Sequence, residues 1–272
     1  MDVCKRIAVP IDFNKASVHA LGEAMYLAQK NNAEVILIHV NADSTKTERY
    51  FEEKIREVIE SHSDVNENID ISWRIVPGHK GNLVRQIAKT IDQIEPLFIV
   101  VGYDVKSKFA LGPNIKDIVY QTNYPVIALK SGETVRQVNS ILFPLTLEPN
   151  SRQKTNISIK IAKDLGLKIV LFAMRLKNTK RDDVTEKLIV NNLTEKFEEN
   201  KIPYSVDWAE GKDAIDLILD RTNYNKTELI GIVFESSPEF LDNFRTTREE
   251  RVLQKNTNPL LIVKSHHSPY IY

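Results

Sequence analysis

The chain has 272 residues, and 37 Lys and Arg balance 37 Asp and Glu, so its formal net charge is zero. Neither half carries the surplus of positive charge that binding along a phosphate backbone requires, which argues against nucleic acid as a partner. The single cysteine, Cys4, excludes an internal disulfide and any Cys-rich metal site.

Lys5–Phe13, KRIAVPIDF, opens the chain with a short apolar run closed by Pro10 and Asp12. Such a run reads as a strand buried on both faces, the kind found in parallel sheets. In an open α/β sheet the first strand is usually central, and ligands gather beyond strand carboxyl ends where the strand order reverses. Asp12 stands at that point. Asn14 can cap a helix over Lys15–Asn31, in which Val18, Leu21, Met25 and Ala28 fall at helical spacing and Ala20 and Ala24 keep one flank thin. Asp12 itself reads equally as a cap for this helix or as a ligand contact. His19 reads as a flank residue, without a partner motif.

Glu34–Val40, EVILIHV, is a second buried strand, and Ser44 or Thr45 then opens a helix with Phe51, Ile55, Val58 and Ile59 as its stripe. IDISWRIV, residues 69–76, alternates with a period of two and so belongs near a sheet edge. Gly78 and Gly81 bracket a turn. A helix with Leu83, Val84, Ile87, Ala88 and Ile91 follows and is stopped by Pro96. Leu97–Val101 is the fourth strand, closed by Gly102; Asn114–Thr122 is a short helix, and Pro125–Lys130 the fifth strand. Strict alternation of strand and helix predicts a parallel sheet covered on both faces.

The pattern then repeats. Ser140–Thr146, SILFPLT, answers the opening strand, with Thr146 where Asp12 stood. Pro10 and Pro144, Val35 and Ile169, and Pro125 and Pro259 share one spacing, and the final strands PVIALKS and PLLIVKS match closely. Lys168–Met174, a helix with Val184, Leu188, Leu193 and Phe197, Tyr204–Trp208, a helix with Ala214, Leu217 and Ile218 after Gly211, and Leu229–Phe234 complete the copy. The expected division is a first domain over 1–134, a degenerate second over 135–266, and a tail over 267–272.

Together the VPIDF opening, the small-residue first helix, the LIHV strand end, the strand closed by Gly102 and the terminal PVIALK strand resemble the universal stress protein family in its tandem form. The resemblance implies an α/β fold of two tandem five-stranded parallel-sheet domains, strand order 3-2-1-4-5, of the adenine nucleotide alpha hydrolase-like kind. It implies pairing through the last strand, here as an intramolecular pseudo-dimer, with a homodimer and an unknown protein partner left open. Many members bind ATP beside a loop of the form G-x2-G-x9-G-(S/T). By resemblance, Asp12 and the Val40 backbone would hold adenosine, and Gly102, Gly112 and Asn114 would belong to the phosphate loop, where backbone N–H groups and a helix start favour an anion.

This chain departs from that pattern. Val105 replaces the second glycine, the loop is shorter, and Pro113 removes both a donor and a hydroxyl. Lys106 and Lys108 offer charge in its place, opposed by Asp104. In the second copy Phe234 ends the fourth strand, Glu235 would repel phosphate, and Ser236–Phe244 holds no glycine. The residues therefore point to a regulatory or stress-response protein without catalytic activity, its nucleotide loop degenerate. The alternative is a sensor that binds ATP or another adenine nucleotide in the first domain alone. No Gly- or Ser-rich loop follows the first strand, no nucleophile elbow occurs, and the histidines, His266 and His267 included, lack metal-ligand spacing, so neither enzyme nor metal site is expected. Without a signal pattern or an apolar run of roughly 20 residues, the expectation is a cytoplasmic protein clear of the membrane.

Overall fold

Short apolar runs at the carboxyl side of each turn fold as parallel strands, and the amphipathic runs between them fold as the helices that cover the sheet. The computed structural model describes residues 5–62, 69–79, 81–104, 114–146, 155–177, 183–234 and 248–264. The chain divides into two units, Met1–Arg136 and Gln137–Tyr272.

The first unit runs β1 (Lys5–Pro10), α1 (Lys15–Asn31), β2 (Ala33–Asn41), α2 (Glu48–Glu60), β3 (Ile71–Pro77), α3 (Leu83–Ile94), β4 (Phe98–Tyr103), α4 (Asn114–Gln121) and β5 (Val126–Lys130). All pairs are parallel and the order is β3-β2-β1-β4-β5. The central strand β1 buries Ile7, Ala8 and Val9 completely. The alternating β3 takes the edge, its residues mostly half-buried, as its period of two requires.

Helix α2 begins later than the sequence suggests. Thr47, not Ser44 or Thr45, is its N-cap and accepts from the Tyr50 N–H. Thr45 is occupied elsewhere: its N–H and hydroxyl both donate to the Asp43 carboxylate, a local turn that competes with helix initiation.

Helix α1 lies close against β4. A Cβ on Gly102 would overlap the Ala16 carbonyl and crowd the Ser17 amide, so the helix backbone occupies the space that any larger residue would need. The same helix also carries an unforeseen clasp. The buried Glu23 carboxylate accepts from the Thr134 hydroxyl, the Val135 N–H and the Arg136 guanidinium at 2.8, 2.7 and 3.3 Å. His19 donates to the Glu133 carbonyl at 2.6 Å and the Tyr26 hydroxyl to the Arg136 carbonyl. His19 is thus a structural donor on a helix face that recurs at Glu23 and Tyr26.

The second unit runs β6 (Ser140–Thr146), α5 (Thr155–Leu165), β7 (Lys168–Leu176), α6 (Asp183–Glu199), β8 (Tyr204–Gly211), α7 (Ala214–Tyr224), β9 (Glu228–Phe234), α8 (Arg248–Lys255) and β10 (Leu260–Lys264). Its parallel order, β8-β7-β6-β9-β10, is that of the first unit. Ile7 pairs with Val35 and Ile141 with Ile169, the same register 134 residues on. Asn32 and Gly166, equivalent in that frame, both adopt the left-handed conformation where a helix ends, at φ 49 and 64°. At the fourth strand the frame slips: Ile7 pairs with Phe98 but Ile141 with Leu229, an offset of 131. By this register Val233, and not Phe234, stands at the Gly102 position.

One helix face differs from expectation. Val184 and Leu188 of α6 are 78 % and 52 % exposed, while Ile189, Val190, Leu193 and Phe197 face inward. At about 100° per residue Leu188 falls well outside the arc these four define. Glu186 is buried with them because Arg175 donates to it at 2.6 Å, and the Arg175 guanidinium lies over the Trp208 ring.

Two substitutions check this packing in chemical denaturation. Gly102→Ala is expected to lose about 3 kcal/mol, the upper range of overpacking, since backbone must move to admit the methyl group. Glu23→Ala is expected to lose about 2 kcal/mol by stranding the buried Val135 N–H and its neighbours.

Candidate functional site

The carboxyl ends of β1, β2 and β4 meet where strand order reverses, and a cleft with about 590 Å³ of empty space, part of it open to solvent, lies there. Ile38 and Val101 contribute apolar strand positions, Leu83 and Ile87 of α3 and Ile118 of α4 apolar helix positions. Asp12, Ser17 and His39 supply its polar lining, and Val40 and Gly102 complete it. The sequence-predicted residues Asp12, Val40 and Gly102 are therefore brought together. Gly112 lies outside the described residues, as do Val105, Lys106, Lys108 and Pro113. Asn114 is the first residue of α4.

Asp12 braces the residue that caps α1. Its carboxylate accepts from the Ser17 hydroxyl at 2.6 Å, the Asn14 N–H at 3.1 Å and the Asn14 side-chain amide at 2.9 Å. Asn14 in turn is the N-cap of α1, accepting from the Ser17 N–H at 2.7 Å. The arrangement places a carboxylate at a helix N-terminus, where the dipole favours it. Both carboxylate oxygens are already engaged within the chain, although Asp12 still borders the cleft.

Two glycines near the cleft answer to close packing. Gly102 makes room for α1, as described above. Gly78, read from the sequence as a turn residue, is pressed against Val40, whose Cγ1 would overlap a Cβ there. Val40 is half-buried between that turn and the cleft.

Sequence reasoning passed over Ser17, Phe13 and the role of His39, and read Phe51 only as part of a helix stripe. The His39 Nδ1 lies 2.9 Å from the Ile11 carbonyl, and the ring packs against both Phe13 and Phe51 with centroids 4.8 and 4.4 Å away. Burial holds its pKa below the ordinary histidine value. The signal available was a lone imidazole inside an otherwise apolar strand.

Chemically, the described lining of the cleft offers apolar walls with one engaged carboxylate and one neutral imidazole, and no cation. That suits a flat, largely apolar body better than a phosphate chain. Among the described residues no cluster of three or more His, Cys, Asp and Glu could hold a metal ion, and no helix is long and apolar enough to cross a membrane. In the second unit the equivalent positions are Thr146, Ala173, Met174 and Val233, so carboxylate, imidazole and glycine are all replaced.

Bracing the N-cap residue gives Asp12 a cost independent of any ligand. Asp12→Ala is expected to lower the unfolding free energy by about 1 kcal/mol in the ligand-free protein, measured by urea titration.

Residues 4–130 match the model of the universal stress protein family. No curated protein matches the chain in sequence. Among solved structures, a universal stress protein from Archaeoglobus fulgidus is 15 % identical, with TM-score 0.71 over 96 % of this chain and 98 % of its own. A functionally unknown protein from Pseudomonas aeruginosa is 15 % identical, with TM-score 0.65 over 97 % of this chain and 93 % of its own. Both share the fold across its whole length. A universal stress protein in complex with cAMP aligns with 47 % of this chain and 98 % of its own, at 17 % identity and TM-score 0.38.

Proposed function

We propose, from the premise that residues 4–130 of this chain belong to the universal stress protein family, that the protein is a non-catalytic regulatory or stress-response protein whose nucleotide loop is degenerate. The observation that carries this reading is the engagement of Asp12. Its carboxylate oxygens already accept from Ser17 and Asn14, and no described lining residue of the cleft bears a positive charge. The sequence agrees: Val105 and Pro113 replace the residue types a phosphate loop uses, and proline supplies no N–H. Among the described residues neither a phosphate cradle nor a metal cluster is found, and a domain of that kind acts through protein contacts, so a protein partner is part of the proposal.

A second reading, an adenine-nucleotide sensor confined to the first unit, is favoured by one fact. Asp12, Val40 and Gly102 border the same cleft. Calorimetry with ATP and magnesium separates the two. The leading reading expects no heat at high protein concentration, no adenine absorbance released by acid from purified protein, and no phosphate liberated from ATP. Saturable heat that Asp12→Ala abolishes would replace it with the sensor.

A further inference from the structure

His39 is only 8 % exposed, and its Nε2 is buried without a hydrogen-bond partner. A carbonyl accepts and cannot donate, so the 2.9 Å contact with Ile11 fixes the proton on Nδ1 and leaves Nε2 as a bare lone pair in the neutral ring. That state tolerates an apolar enclosure. Phe13 and Phe51 form a three-ring cluster with the imidazole, their own rings 6.3 Å apart and within 14° of parallel. Phe13 reaches this position at φ 63°, a left-handed conformation that a bulky residue rarely adopts. The aromatic contact therefore holds a strained backbone in place, and it joins the segment after β1 to α2 beside the cleft.

A second proton would put an N–H on Nε2 with no acceptor among the described residues. The charged groups bearing on the ring are Asp12, which favours the proton, and Lys54 of α2, which opposes it. Asp12 is engaged by Ser17 and Asn14, and the Lys54 ammonium already lies 5.6 Å from the Phe13 ring centre. Leu83 and Ile87 of α3 and Ile75, the β3 register partner, carry no charge.

We propose that His39 is a proton-sensitive latch on the cleft: the neutral ring binds Phe13 to Phe51, and protonation releases both and opens the cleft beside them. The latch depends on no particular ligand. The sign follows from burial, which lowers the His39 pKa in the closed state. An opened state takes the proton more readily, so closure is fully favoured above the ordinary value of 6.5 and weakens as pH falls below it. The second unit carries Ala173 at this position and has no such latch there.

NMR of the full, ligand-free chain between pH 7.5 and 5 tests this, read on the His39 ring and the Phe13 and Phe51 resonances, with hydrogen exchange of α2 in parallel. Between pH 6.5 and 5.5 the α2 amides, corrected for intrinsic rate, are expected to exchange up to about tenfold faster, in step with His39, for a single coupled proton. His39→Leu should abolish that response. Should His39→Leu fail to fold, Phe51→Leu is expected to move the His39 midpoint upward toward 6.5. Titration of His39 with the Phe13 and Phe51 signals unmoved, an unchanged response in His39→Leu, or an unmoved midpoint in Phe51→Leu would overturn the latch. None of these outcomes bears on whether the cleft takes a nucleotide.

Discussion

The approach of α1 to β4 is the contact from which the first unit's geometry follows. Ala16 and Ser17 present backbone, not side chain, to the strand, and only a residue without a Cβ at position 102 admits them. That approach fixes where α1 begins, and so where Asn14 caps it and where Asp12 must turn to meet Ser17. The cleft is the space left over: strand ends on one side, the capped helix start on another, and α3 and α4 opposite. A backbone contact of this kind is stiffer than side-chain packing, because neither partner has a rotamer with which to yield.

The second unit keeps the topology but not the glycine. Val233 stands where Gly102 did. With the glycine went the carboxylate, replaced by Thr146, and the imidazole, replaced by Ala173. The losses fall together at one end of the sheet, while the register of the first two strands and the left-handed helix ends at Asn32 and Gly166 persist. Core positions answer to burial in both copies. Positions around the cleft answer to the helix start and to the close packing there, and only the first copy carries them.

Much of this was legible before any coordinates. Buried parallel strands leave dense apolar runs such as IAVPI and EVILIHV, and helical spacing at Leu21, Met25 and Ala28 needs no partner to be recognised. What escaped notice depended on residues far apart in sequence or on competition between neighbours. Ser44 and Thr45 look as good a cap as Thr47 until Asp43 takes the Thr45 donors. Leu188 looks like core until Ile189 and Val190 set the phase of α6. Asp12 could be read either as a cap or as a ligand contact, and only the positions of Ser17 and Asn14 show that both of its oxygens already accept within the chain. The family motif drew attention to Gly102 as part of a phosphate loop, whereas its missing side chain is already demanded by a helix.

The clasp on α1 bears on where the first unit ends as a folding body. Its last strand closes at Lys130, yet Glu23 finds its donors only at Thr134, Val135 and Arg136. A fragment trimmed flush with the sheet would carry an interior anion stripped of every donor named here, a far worse state than losing a few surface residues. The natural place to sever the chain therefore lies beyond Arg136, after the stretch that looks like a connector has finished serving as part of the body it follows.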